Sequence, residues 1–409
     1  MRKLFILLML SLCLGNHAQE LNGDWNGTLE AGAQSLTVVL HIDKDAQTVR
    51  MDVLEQGGGN VPMEVKHFSA DSLHLTIAKM FVDYQGKLTD GQLKGVFKQG
   101  FTTLPLVLNP GEVTYNRPQE PLPPYPYKTE EVTFYNPSAD VTLAGTLTYP
   151  VGYKKKVPVV LMVTGSGPEN RDEELFMHKP FLVIADYLAL HGIASLRYDD
   201  RGVGASTGVF SDATTADFAE DARAGIQYLR SKKQFRRVGI LGHSEGGSIA
   251  FMLGSEGVPD FIVSLAGPAG RIDTMMVSQL NLIAHSQGMT RDLVKTTSDA
   301  RKYLRMQSSG KWMDYFVDMD LTPYVRKTSC PVLALGGERD LNVPPSFNTK
   351  ALEDNLPKNK RNVIKVYPEL SHMFQHSPTG NPNLTLHIEE TISPEVLSDI
   401  ANWIHNMIR

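Results

Sequence analysis

Val238-Gly-Ile-Leu-Gly-His-Ser-Glu-Gly-Gly-Ser-Ile-Ala-Phe-Met-Leu-Gly254 is a short apolar run, a tight glycine turn and an apolar helical stretch. Ser244 stands at the apex, inside Gly242-His243-Ser244-Glu245-Gly246. A serine hydroxyl is a poor nucleophile until it is lifted clear of the backbone and given a base. A strand that turns sharply into a helix does the lifting, and such a turn needs small flanking residues. The chain holds a second G-x-S-x-G, Gly204-Ala-Ser-Thr-Gly208, without that context. Ser206 follows the polar Asp199-Asp-Arg-Gly-Val203 and precedes Val209-Phe-Ser-Asp212. No strand runs into it and no helix leaves it, so it reads as a loop residue.

On either side of the elbow, apolar strand candidates alternate with helical stretches. The strands are Val157–Thr164, Ile193–Tyr198, Val238–Leu241, Phe261–Leu265, Val332–Leu335 and Val363–Val366. Helices fall near 178–191, 216–231, 245–254 and 394–408. That alternation implies an α/β unit with a mostly parallel sheet covered on both faces. Glu130–Phe134 and Val141–Thr148 read as a hairpin before it. Between Arg271 and Lys327 the rhythm breaks into a polar, helix-prone insertion carrying Met275, Met276, Met289, Met306, Met313 and Met319. It reads as a cap over the strand ends, where methionine suits an adaptable apolar pocket as well as plain packing.

Upstream the period changes to two. Ser35–Ile42, Thr48–Val53, Ser72–Ile77 and Gln92–Phe97 alternate in polarity, separated by turns such as Asp90-Gly91. Residues 19–115 are thus expected to form a small all-β barrel or sandwich, too short for a propeller. Trp25 and His67 read as its core and rim, with a ligand pocket as the alternative. Residues 116–127 carry five prolines and read as a stiff inter-domain linker. A Pro-rich recognition motif is the alternative there.

The start has a separate role. Met1-Arg-Lys3 is basic, Leu4–Leu14 is apolar and Ala18 is small, the order of a secretory signal cut near Ala18. The expected product is exported, periplasmic or extracellular. Leu12 before Cys13 is too large for the usual lipid-attachment signal. Cleavage removes Arg2 and Lys3 and moves the formal charge from -5 to -7. An acidic chain with no basic block argues against nucleic acid, and no later stretch is long enough to span a membrane. Cys330 is the one cysteine left, which excludes an internal disulfide and a cysteine zinc site.

Ser244 needs a histidine base, and the base an acid to fix its tautomer. Asp340 follows the strand Val332–Leu335 through Gly336-Gly-Glu-Arg339, and His372 follows Val363–Tyr367 through Pro368-Glu-Leu-Ser371. All three sit after carboxyl ends of strands, where open α/β sheets place their sites. Glu338 and His376 are the rival acid and base. His243 sits within the elbow, badly placed to turn toward its neighbour's hydroxyl. An oxyanion needs two donors. The Glu245 N–H opening the elbow helix is one, and Ser166 N–H in Thr164-Gly-Ser-Gly-Pro168 is preferred over Gly167 for the other. Arg171 is expected to pair with Asp172 or Asp199 rather than bind a substrate carboxylate.

With Thr164–Pro168, Arg197-Tyr-Asp-Asp-Arg-Gly202, Gly242–Gly247, Gly337–Val343 and Ser371-His372 in view, residues 128–409 resemble the α/β-hydrolase superfamily. More narrowly they resemble bacterial serine carboxylesterases with a small β-rich N-terminal domain. The resemblance implies an eight-stranded, mostly parallel sheet with a helical cap, a Ser244–His372–Asp340 triad and no metal or other cofactor. One departure is Thr164-Gly165 where many relatives carry His-Gly. The expected function is hydrolysis of a small-molecule ester with a short acyl chain. A serine peptidase or aminopeptidase on the same fold, and a binding protein working through its β-domain, are the alternatives.

Overall fold

The structure, a computed structural model, describes residues 20–32, 34–56, 60–153 and 156–408. The export signal expected at 1–18 lies outside the described residues. The chain divides into two compact units, with the boundary between Thr114 and Tyr115.

The first unit is a closed barrel of β1 (Gly23–Ala31), β2 (Gln34–Asp43), β3 (Thr48–Val53), β4 (Val61–Phe68), β5 (Ser72–Ile77), β6 (Val82–Thr89), β7 (Gln92–Gln99) and β8 (Thr102–Pro110). Each strand runs antiparallel to the next, and β1 closes on β8 through Trp25 opposite Pro110. Closure leaves no free strand edge, which removes the usual site of unwanted pairing. Alternation decides the faces: Leu73 and Leu75 point inward while His74 and Thr76 are partly exposed. Trp25 is fully buried, its indole N–H donating to Asn22 O at 3.3 Å. His67 is exposed and lies 3.2 Å from the Ser72 hydroxyl. Core and rim are therefore where the two residues fall.

The second unit is built on β9 (Thr129–Asn136), β10 (Val141–Thr148), β11 (Val157–Val163), α1 (Pro180–Leu190), β12 (Ala194–Tyr198), α2 (Thr215–Ser231), β13 (Phe235–His243), α3 (Glu245–Gly254) and β14 (Ile262–Leu265). Then come α4 (Ile272–Ser286), α5 (Thr297–Gln307), α6 (Lys311–Asp318), α7 (Thr322–Lys327), β15 (Val332–Gly337), α8 (Pro345–Asn355), β16 (Val363–Tyr367) and α9 (Pro394–Ile408). The sheet has eight strands in the order β16-β15-β14-β13-β11-β12-β10-β9. From β12 to β16 the pairing is parallel, with β9 and β10 antiparallel at one edge. This is the α/β-hydrolase sheet that the resemblance implies.

Every residue of β12 and β14 is buried, because helices cover both faces. Side chains of α2, α3, α7 and α8 fill one core, and those of α1 and α9 fill the other. The Thr214–Asp217 capping box starts α2 and the Thr296–Asp299 box starts α5. Helix α8 has no counterpart in the sequence reading. Its start, Pro344-Pro345, resembles a loop until Pro345 is seen at the first helical position, where its missing N–H costs nothing.

Residues 115–127 pack on this second unit rather than standing free as a spacer. Arg117 donates to the carbonyls of Leu386 at 2.7 Å, Met177 at 3.0 Å and Ile388 at 3.0 Å. Gln119 bonds the backbone of Thr391 and Ile392, and the Tyr127 hydroxyl donates to Asp186 at 2.8 Å. Proline stiffness holds the strip extended, and those polar contacts hold it down.

Trp25 is the bulkiest of the fully buried side chains, so Trp25→Ala should destabilise the barrel by about 3–5 kcal/mol. Urea titration of the full chain is expected to show one transition moved to lower denaturant. A curve superimposable on the wild type would mean that this tryptophan does not hold the barrel.

Candidate active site

The turn from β13 into α3 is as tight as the glycines suggest. A Cβ on Gly242 would collide with the Gly246 carbonyl, and one on Gly246 with the carbonyls of Val163 and Thr164 on the neighbouring strand. Ser244 itself sits at φ 50° and ψ -117°, a conformation costly for an L residue with a side chain. Burial of all ten residues of α3 holds the turn in place.

Ser244 and His372 line one cavity of about 330 Å³. Asp340 is buried beside them, with Oδ2 2.9 Å from His372 Nδ1. Its other oxygen accepts the N–H groups of Asn342 and Val343, each at 2.8 Å, so the carboxylate is fixed before it meets the imidazole. The chain brings these residues together because β15 and β16 are parallel neighbours whose ends share one edge of the sheet. The rivals lie elsewhere. Glu338 is exposed and accepts the Glu369 N–H at 3.2 Å, while His376 is exposed and pairs with Glu390 at 2.9 Å.

Ser166 lines the same cavity, whereas Gly167 is not among its lining residues. Glu245 opens α3, so its N–H is one of the first-turn donors without an intrahelical acceptor. The loop at Thr164–Glu169 is held by carboxylates from below. Asp200 accepts the Thr164 hydroxyl at 3.2 Å and the Glu169 N–H at 3.0 Å, and Glu173 accepts the Gly165 N–H at 2.9 Å. Thr164 therefore has a definite task. Ser206 has one too, donating to Asp199 O at 2.7 Å and accepting from Ala144 N–H at 2.9 Å. Arg171 grips both oxygens of Asp199, at 3.0 and 2.7 Å.

The remaining wall is largely apolar and comes from the inserted helices: Met275, Met276, Leu304, Trp312, Met313 and Phe316. Trp312 reaches past the wall, its indole N–H donating to Glu245 Oε1 at 2.9 Å. The same carboxylate accepts the Thr215 hydroxyl at 2.5 Å. Burial pushes the Glu245 carboxyl above the ordinary carboxylate range, against the pull of donors from Thr215, Trp312 and Ser166. Burial also raises Asp200, with the nearby Glu245 and Asp221 charges adding to it. Glu169, on the cavity wall, is raised by burial and by Glu173 and Asp200. Its carboxyl has no hydrogen-bond partner among the described residues.

Sequence reasoning missed Glu173, Trp312 and the role of His243. Glu173 is 70 residues from His243 in the chain, yet its Oε1 lies 2.8 Å from His243 Nδ1. Nothing in local spacing points to that pair. Among the described residues no group of His, Cys, Asp and Glu could hold a metal ion.

The profile of the serine aminopeptidase S33 family matches residues 179–319. Esterase EstD of Thermotoga maritima is 26% identical over 271 residues, covering 64% of this chain and 65% of that protein. The match thus spans a little under two-thirds of that curated relative. Among solved structures, ferulic acid-bound Est1E of Butyrivibrio proteoclasticus is 18% identical with a TM-score of 0.48, covering 67% of this chain and 98% of that one. An esterase of Pyrococcus furiosus is 16% identical at TM-score 0.48, covering 72% and 99%.

Trp312→Phe keeps a ring against Phe316 but removes the N–H from the buried Glu245 carboxylate. The loss of one hydrogen bond to a buried carboxyl group should cost about 1–3 kcal/mol. Urea denaturation of the variant checks this, and unchanged stability would show that the indole bond contributes nothing net.

Proposed function

We propose that this chain, an α/β hydrolase by fold and similar in sequence to an esterase, is an exported serine carboxylesterase acting on short-chain acyl esters of small molecules. The observation that carries the reading is one cavity lined by Ser244 and His372, with Asp340 bonded to His372 Nδ1. In this mechanism Ser244 Oγ attacks the ester carbonyl while His372 Nε2 takes the hydroxyl proton. Asp340 holds the imidazole in the tautomer that leaves Nε2 free, and it stabilises the imidazolium that forms. The Glu245 and Ser166 N–H groups receive the oxyanion of the tetrahedral intermediate. Its collapse breaks the C–O bond, and the alcohol leaves with the proton from His372. Water, deprotonated by the same histidine, then releases the acid and restores Ser244.

A space of about 330 Å³ walled by methionine and aromatic side chains suits a compact acyl ester. Export rests on the basic and apolar order of residues 1–18. A peptidase is the second reading. The S33 profile favours it, and so does the unpartnered Glu169 carboxyl in the cavity, which could accept hydrogen bonds from a substrate amine.

p-Nitrophenyl esters from acetate to laurate, run beside an aminoacyl-p-nitroanilide, separate the two. Turnover is expected on the short esters, with Ser244→Ala lowering kcat roughly 10⁴-fold or more. Hydrolysis of the anilide alone would replace the esterase by the peptidase.

A further inference from the structure

His243 is the residue before the nucleophile, it is fully buried, and the mechanism above does not use it. Its ring nitrogens face two atoms that only accept or carry charge. Nδ1 lies 2.8 Å from Glu173 Oε1, and Nε2 lies 3.1 Å from the backbone oxygen of His372. A carbonyl oxygen cannot donate, so Nε2 must carry a hydrogen. The carboxylate is satisfied only if Nδ1 carries one too. Glu173 Oε1 meanwhile accepts the Gly165 N–H at 2.9 Å. The His243 ring also sits 4.8 Å, centroid to centroid, from the His372 ring. One buried pair thus touches the turn before Ser166, the elbow and the backbone of the base.

We propose that His243 and Glu173 form a buried imidazolium–carboxylate brace that positions His372 against the Gly165–Ser166 turn and keeps a positive charge beside the catalytic ring. Both are positioning residues, and the inference rests on His372 being the base. His178 supplies the contrast within the same unit. Its Nδ1 faces the Thr391 hydroxyl, which can donate, so a neutral ring satisfies that site, and burial pulls its ionisation down to about 4. At His243 burial pulls the same way, but the Glu173 charge and hydrogen bond, the His372 carbonyl and the Asp340 charge reverse it. The titratable groups facing the pair are Glu173, His372 and Asp340, with Glu169 close to Glu173.

Two consequences differ from those of a plain structural contact. His243 ionises above the ordinary value of 6.5, so the brace is complete below that value and is lost as pH rises through the folded one. The Glu173 carboxyl also ties His243 to the Gly165 turn, so its loss frees the His372 backbone from that turn.

The test follows the full chain with ¹⁵N-labelled histidine from about pH 5 to about pH 9. A histidine that keeps both ring protons above pH 6.5 is expected, lost in both His243→Gln and the isosteric Glu173→Gln and distinct from His41, which lies between Asp24 and Asp52. In Glu173→Gln, ester turnover should fall about 10- to 100-fold, mainly in kcat. KM should change little, and the conservative Glu173→Asp should recover part of kcat. If no ring assigned by these variants keeps both protons above pH 6.5, the pair is not an imidazolium–carboxylate and the proposal fails. If that histidine exists but Glu173→Gln leaves kcat unchanged, the brace has no hold on the base and the proposal fails too. The nitrogen signal needs no turnover, so it stands apart from whether the substrate is an ester.

Discussion

The close approach of β13, α3 and β11 at the elbow is the constraint on which the rest of the second unit depends. A side chain at Gly242 or Gly246 would push the turn off its neighbouring backbone, and Ser244 would lose its partly exposed, strained pose. Strain of that kind persists only where surrounding structure over-determines it. Here the over-determination is visible. Helix α3 is buried along its whole length, Ser244 N–H is tied to Leu265 O at 2.9 Å, and Gly247 N–H returns to Ser244 O at 2.9 Å. A serine fixed in this way gives the neighbouring loops a stationary point on which to converge.

Those loops are held mostly by acids, which raises an electrostatic difficulty. Asp200, Glu173 and Glu245 all bond the one loop at Thr164–Glu169, where full negative charges would repel one another. The surroundings reduce that charge by two routes. Burial drives Asp200, Glu169 and Glu245 toward their neutral forms, while Glu173 stands against His243. Carboxyl groups can then serve as rigid acceptors for Thr164, Gly165 and Glu169 without filling the site with repulsion. The paired Asp199–Arg171 and Asp221–Arg201 contacts farther out follow the same logic, each acid meeting a guanidinium.

Much of this was legible in the chain because the strongest signals are local. Strand, glycine turn and helix within residues 238–254 declare the elbow, and period-two alternation declares four of the eight barrel strands, β2, β3, β5 and β7. Asp340 and His372 meet because loops after neighbouring parallel strands reach the same edge. Helix α8 was hidden by its prolines, and residues 115–127 looked like a spacer since their anchors lie on carbonyls far along the chain. Glu173 and Trp312 were beyond reach for a related reason. Their partners are set by tertiary packing, and a carboxylate or indole in a polar stretch carries no local mark of burial.

Position 245 shows how the motif's variable place becomes constrained. Its backbone N–H belongs to the first turn of α3, while its side chain runs back to Thr215 at the head of α2 and to Trp312 on α6. Trp312 in turn lines the cavity above Ser244. The inserted helices are therefore registered on the elbow itself and not merely laid across the strand ends. Any rearrangement of α6 that widened the cavity would withdraw a donor from a buried carboxyl, at the desolvation cost such groups carry. Cavity shape and elbow geometry are coupled through one residue. A change of substrate preference in this fold should then require compensation at Glu245 as well as at the apolar wall.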